Sequence, residues 1–147
     1  MSAISEKIRT ALYAKLAVST VLSSGTGYAT AIYYHHAPND ATLPYVVYDR
    51  VAPGTVKRPV LGGLILEDDI WQIKAITDFA TTPTGIEPVR LGQAILSACE
   101  TAINETLTVS GNTVEYIKRV SDIPGFKELV NDRWIYHEGF NLRTQTS

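Results

Sequence analysis

Near the start of the chain Ile4, Ile8, Ala11, Leu12 and Leu16 recur at three- and four-residue spacing, which places them on one face of a helix. Ser2 is available as a cap and Glu6 lies near the positive end of the helix dipole, so the pattern predicts a helix over residues 2–16. Residues 18–22 add one more turn before Ser23, Ser24, Gly25 and Gly27 end regular structure. A short β-like run follows at 31–35. Pro38, Asn39, Asp40 and Pro44 then lead into 45–51, whose tyrosines and valines have strand composition. Residues 52–63 hold Pro53, Gly54, Pro59, Gly62 and Gly63, which predicts a long loop or hairpin tip.

From residue 64 to 77 the period changes to two, with Trp71, Ile73 and Ala75 on one face and Gln72 and Lys74 on the other. A long strand is predicted there. After a linker at 81–85, Thr84 and Glu87 stand three apart like a capping box ahead of Pro88. Leu91, Ala94, Ile95, Ala98, Ala102 and Ile103 then form one stripe, giving a second helix over 87–107. Ser110, Gly111 and Asn112 turn the chain into a strand at 114–120, which the run from Asp122 through Pro124 and Gly125 to Phe126 breaks. Residues 133–143 alternate Trp134, Tyr136, Phe140 and Leu142 with Arg133, His137, Asn141 and Arg143, the pattern of a strand paired antiparallel with a neighbour.

This order predicts one α+β domain over residues 1–147: a mostly antiparallel sheet of four to five strands with two helices packed on one face. No repeat and no low-complexity block interrupts it. Leu91, Ile95, Ala98, Ala102 and Ile103 are expected to face the sheet together with Trp71, Ile73 and Trp134. Val46, Tyr48, Ile70, Ile117 and Ile135 are expected largely on the side the helices leave open, either covered by a second layer or a neighbouring subunit or left as a few scattered exposed apolar residues.

With 147 residues, 45% of them hydrophobic, the chain can bury a core without metal or disulfide. The single cysteine, Cys99, excludes an internal disulfide framework and a four-cysteine zinc site and suits a reducing compartment. Thirteen basic against 15 acidic residues leave a net charge of -2, so the electrostatic footprint of a nucleic-acid binder is lacking. Charged residues make up 19%, below ordinary domains, while there are 8 tyrosines, a composition that hints at surface covered by a partner. Glu6, Lys7, Arg9 and Lys15 interrupt the first segment, which does not read as a signal peptide, and no apolar run reaches the length of a membrane span. A soluble protein made in the cytoplasm is expected.

Candidate chemistry is sparse. His35, His36, Asp40, Asp49 and the run Glu67, Asp68, Asp69 are metal-ligand types. Adjacent histidines on a strand point to opposite faces, however, and no His-x-His or His-x-x-x-His pair occurs. The acidic trio is expected to keep an exposed strand start soluble. Cys99 lies beside the apolar stripe of the second helix, where a buried thiol is the ordinary outcome; as a nucleophile it would need a partner such as His137 with Asp132. No nucleophile elbow and no glycine-rich phosphate loop is present. Lys57-Arg58 and Lys118-Arg119 are short basic pairs, expected as solvated faces rather than a phosphate-binding stripe.

The chain resembles the tail terminator, or tail completion, proteins of long-tailed bacteriophages. The likeness is carried by the N-terminal helix with Ala11-Leu12-Tyr13-Ala14-Lys15-Leu16, then Val21-Leu22-Ser23-Ser24-Gly25, Ile32-Tyr33, Ala37-Pro38 and above all Leu43-Pro44-Tyr45-Val46-Val47-Tyr48. A long loop, a strand like Asp69-Ile70-Trp71-Gln72-Ile73, a helix and two closing strands complete it; residues 120–132 look longer than the tight connection such proteins use. The resemblance implies a virion subunit that forms a hexameric ring on the tail tube, ends tube polymerisation and offers the surface on which the head connector docks. It implies no catalysis and no cofactor. Its partners would be further copies of the chain, the tail tube protein and the head connector protein, with no membrane and no sequence-specific nucleic acid beyond DNA passing through the ring. Tyr45, Tyr48, Lys57 and Arg58 are the candidate interface residues, and the loop at 52–63 is expected to be mobile until assembly. Two other classes fit the same residues: a head-side connector or stopper, and a small hydrolase or ligand-binding domain built from His35, His36, His137, Cys99 or the acidic trio.

Overall fold

The computed structural model describes residues 3–18, 21–22, 29–57, 66–78, 88–103, 106–109 and 111–147. In chain order the elements are helix α1 (Ala3–Leu16), strands β1 (Ile32–Tyr34), β2 (Tyr45–Lys57) and β3 (Leu66–Asp78), helix α2 (Pro88–Ile103), and strands β4 (Val114–Val130) and β5 (Arg133–Thr146). The strands form one sheet in the order β1-β2-β3-β5-β4, with β1 parallel to β2 and every other pairing antiparallel. The α+β expectation is met. No helix among the described residues is long and apolar enough to cross a membrane.

Helix α1 forms where the apolar stripe predicts it, and Ile8, Leu12 and Leu16, each one turn from the next, are fully buried. After it, the amides of Val21 and Leu22 donate to the Val18 carbonyl, closing one further turn. Helix α2 begins at Pro88, whose missing N–H costs nothing in a first turn. Its buried face, Leu91, Ile95, Leu96, Cys99 and Ile103, joins the buried face of α1 in one core with Val46, Tyr48, Trp71, Ile73, Ala75, Ile117, Phe140 and Leu142. Both helices therefore meet the same side of the sheet. The capping pair Thr84 and Glu87 lies outside the described residues.

Three expectations need correction. Strand β2 does not stop at Val51 but pairs with β3 as far as Lys57, with irregularities between Arg50 and Ala52 and between Ala52 and Thr55. Pro53 and Gly54 fall in the second of these, and a bulge is the place where a strand tolerates them. Residues 58–63 of the expected loop lie outside the described residues.

Likewise, residues 122–126 do not end β4. It runs 17 residues as an edge strand, with a register shift between Ile123 and Phe126 that absorbs Pro124 and Gly125. An edge strand has no second partner to lose when proline removes a donor. Asn131 and Asp132, at φ 52° and 61°, then form a two-residue turn between the paired Val130 and Arg133, a conformation that Asn and Asp accept more readily than other side chains.

The third correction concerns faces. Val46, Tyr48 and Ile117 belong to the helix-side core, and only Ile135 and, by alternation, Ile70 lie on the opposite face. Residues 45–48 are apolar or aromatic on both sides, so their alternation cannot reveal which side the helices cover. Trp134 shares the helix-side parity of Phe140 but remains 47% exposed, beyond the reach of α2. Leu91, Ile95 and Ile103 are buried as expected, and Ala98 and Ala102 are partly buried against the same core.

Candidate interaction surface

Opposite the helices, a second apolar cluster of Val47, Ile76 and Ile135 forms the floor of a cleft, with Tyr33, Ala37, Leu43 and Tyr45 packed around it. The Tyr33 and Tyr45 rings meet edge to face at 5.6 Å. The connection between β1 and β2 supplies one wall through His36, Pro38 and Leu43, and the end of the β4–β5 hairpin supplies the other through Glu128, Val130 and Arg133. The volume of this open cleft is about 520 Å³, within the range of pockets that hold small ligands or peptide side chains.

Polar groups at this cleft come mostly in pairs. His35 Nδ1 lies 3.0 Å from Asp49, Arg133 Nε donates to Asp78 at 3.0 Å, and His137 Nε2 lies 2.8 Å from Glu128. The His137 ring also stacks flat on Phe126, with centroids 4.6 Å apart. Burial, then the nearby Lys74 cation, holds the His137 pKa below its ordinary value, against the opposing pull of Glu128.

Among the described residues, the hairpin carries most of the large apolar side chains that remain exposed: Tyr116, Val120, Phe126, Leu129 and Val130 on β4 and Trp134 on β5. Lys127 Nζ sits 5.5 Å from the centroid of the Trp134 ring. Such a concentration on one element marks a contact surface more than scattered exposure would. The sequence pattern hides it because 122–126 reads as a break; the signal for it is Asn131-Asp132, a two-residue hairpin turn between apolar flanks.

The residues singled out for chemistry are dispersed. Cys99 is fully buried in the helix-side core, and burial pushes its thiol pKa up to about 12. His137 lies on the other side of the sheet, and Asp132 is at the hairpin turn, so the three are not brought together. Among the described residues, no group of three or more His, Cys, Asp or Glu side chains is placed to hold a metal ion.

The acidic trio is not a solvated strand start. Glu67 and Asp69 are buried beneath α1, where Ser5 Oγ donates to Asp69 at 2.9 Å and Arg50 Nε at 3.0 Å. Asp68, on the other face by alternation, accepts from Arg143 at 3.1 Å. Burial raises the Asp69 pKa, and its hydrogen bond from Ser5 and the charge of Arg50 oppose the rise.

Of the candidate interface residues, Tyr45 lines the open cleft. Tyr48 is 1% exposed in the core, its hydroxyl donating to the Arg9 carbonyl at 3.3 Å. Lys57 closes β2, and Arg58 lies outside the described residues. In the other basic pair, Arg119 donates to Glu100 at 2.6 Å and to Asp122, and its guanidinium lies 4.9 Å over the Phe140 ring.

No protein-family model and no curated protein sequence matches the chain. Solved structures do share its fold. A chain from the virion of a native gene transfer agent (GTA) particle superposes with a TM-score of 0.61 at 19% identity, covering 99% of both chains. A second solved chain gives a TM-score of 0.54 at 9% identity over 97% of this chain and 96% of the other.

Proposed function

We propose that this protein is a structural component of a phage-like virion, acting by assembly rather than catalysis. The observation that carries the reading is the end-to-end fold likeness to a chain of the gene transfer agent virion, from the first helix to the last strand. The exposed apolar side chains of the β4–β5 hairpin support it, because a subunit that functions in an assembly needs surface that a neighbour covers. So does the dispersal of Cys99, His137 and Asp132, which weighs against the hydrolase alternative.

Within that class the reading is a tail terminator. Six copies form a ring on the end of the tail tube, stop its polymerisation and present the surface for the head connector, with DNA passing through the centre. Tyr45 and the residues around Lys57 and Arg58 lie near subunit or tube contacts. The segment Leu43-Pro44-Tyr45-Val46-Val47-Tyr48, which resembles that family, supports this reading; a head-side connector or stopper is the alternative.

The test is a particle made without the protein. Tails of uncontrolled length, or finished tails unable to join heads, are expected. Tails of normal length with filled heads still unjoined and leaking DNA would instead favour the stopper, and fully infectious particles would remove both readings.

A further inference from the structure

Among the described residues, the open-face cleft holds one charged side chain without an ion-pair partner. Lys74 extends from the middle of β3 on the cleft side, partly buried, and among the described residues no carboxylate lies within ion-pairing distance of it. The other charged side chains at the cleft, His35, Arg133 and Glu128, are engaged with Asp49, Asp78 and His137. A shallow place is built for Lys74. It sits in register between Val47 and Gly139, and a Cβ at Gly139 would stand 2.8 Å from the Lys74 Cγ, so glycine there lets the lysine stem lie across the sheet. The floor beside it is apolar, formed by Val47, Ile76 and Ile135.

We infer that this cleft docks a segment of a partner protein that carries one carboxylate next to aliphatic side chains, with Lys74 as the counter-ion and the Val47, Ile76 and Ile135 floor receiving the apolar groups. An ammonium beside an apolar floor attracts a carboxylate more strongly once a docked segment excludes water from between them. The surrounding charges do not suit a polyanion, because Glu128 lines the cleft and Asp78 neutralises Arg133, which leaves Lys74 as a single positive charge. Nucleic acid and polyphosphate are therefore the wrong chemistry, and a single carboxylate within an apolar segment is the right one. The inference concerns the isolated chain and does not depend on the ring reading.

The probe is the capped tripeptide acetyl-Leu-Glu-Leu-amide, titrated into the purified chain while backbone amides are followed by NMR. Saturable shifts at Lys74, Ile76, Ile135 and His137 are expected, with binding about three-fold or more tighter than for the otherwise identical glutamine peptide. Lys74→Met should abolish that preference, and Lys74→Arg should retain it. Both variants should keep the dispersed spectrum of the folded chain. Free 4-methylpentanoate should bind more weakly than the tripeptide; equal binding would mean that the site serves a free acid, which overturns docking of a protein segment. Equal affinity for the glutamate and glutamine peptides, an unchanged preference in Lys74→Met, or no saturable shift at those amides also overturns the inference.

Discussion

Gly125 on β4 lies so close to the ring and hydroxyl of Tyr136 on β5 that a Cβ added at position 125 would overlap them. Tyr136 is itself buried and held beside Gly92 of α2. The ring cannot simply swing away. Gly125→Ala should therefore destabilise the fold by about 1–3 kcal/mol through overpacking. Chemical denaturation measures this, and a change below about 0.5 kcal/mol would show that the hairpin adapts without strain.

Ile95 and Trp134 separate core from surface. Ile95 is fully buried between α2 and the sheet, whereas Trp134 keeps nearly half its surface exposed. Ile95→Ala should cost about 2–5 kcal/mol. Trp134→Ala should cost about 1 kcal/mol or less, mostly the contact with Lys127. Equal losses for the two would contradict the placement of Trp134 beyond α2.

How far the sequence reaches can be judged from these same elements. The stripes Ile8, Leu12, Leu16 and Leu91, Ile95, Ile103 locate both helices, because one-sided periodicity leaves a single way to bury them. β3 is legible for the same reason through Trp71, Ile73 and Ala75. β4 is not, because Pro124 and Gly125 read locally as a break, and their tolerance depends on the strand being at the sheet edge and Gly125 lying against Tyr136. The open-face cleft escapes notice for a related reason. It joins residues from the β1–β2 connection, β3 and the hairpin, whose adjacency follows only from the order β1-β2-β3-β5-β4.

His137 predicts a pH dependence with a definite sign. Its folded-state pKa is lowered from 6.5, so below pH 6.5 the unfolded chain takes up a proton that the folded chain resists. Stability should fall as the pH drops from 6.5 toward the lowered folded value and level off below it. His137→Gln should remove this part of the pH profile, and Lys74→Met should reduce it, since Lys74 is one cause of the shift. A wild-type stability curve that rises as the pH falls through this window, in a way that depends on His137, would reverse the assignment.

The hairpin surface predicts a separation of assembly from folding. Leu129 and Phe126 are about half exposed, so replacing both with serine should change monomer stability by less than about 1 kcal/mol. The same double variant should weaken self-association or incorporation into particles at least several-fold, because it removes exposed apolar side chains from both faces of the hairpin. Analytical ultracentrifugation beside thermal unfolding checks both halves; unaltered assembly would place the subunit contacts elsewhere.

The central claim is that the protein works as a ring on a tail tube. Its most direct test is the solution mass of the purified chain, alone and after mixing with a tail tube protein. The account predicts a closed species near six times the 16.1 kDa chain, formed alone or on the tube end, that halts further tube growth. A chain that stays at 16.1 kDa in both conditions while the tube continues to lengthen would contradict it.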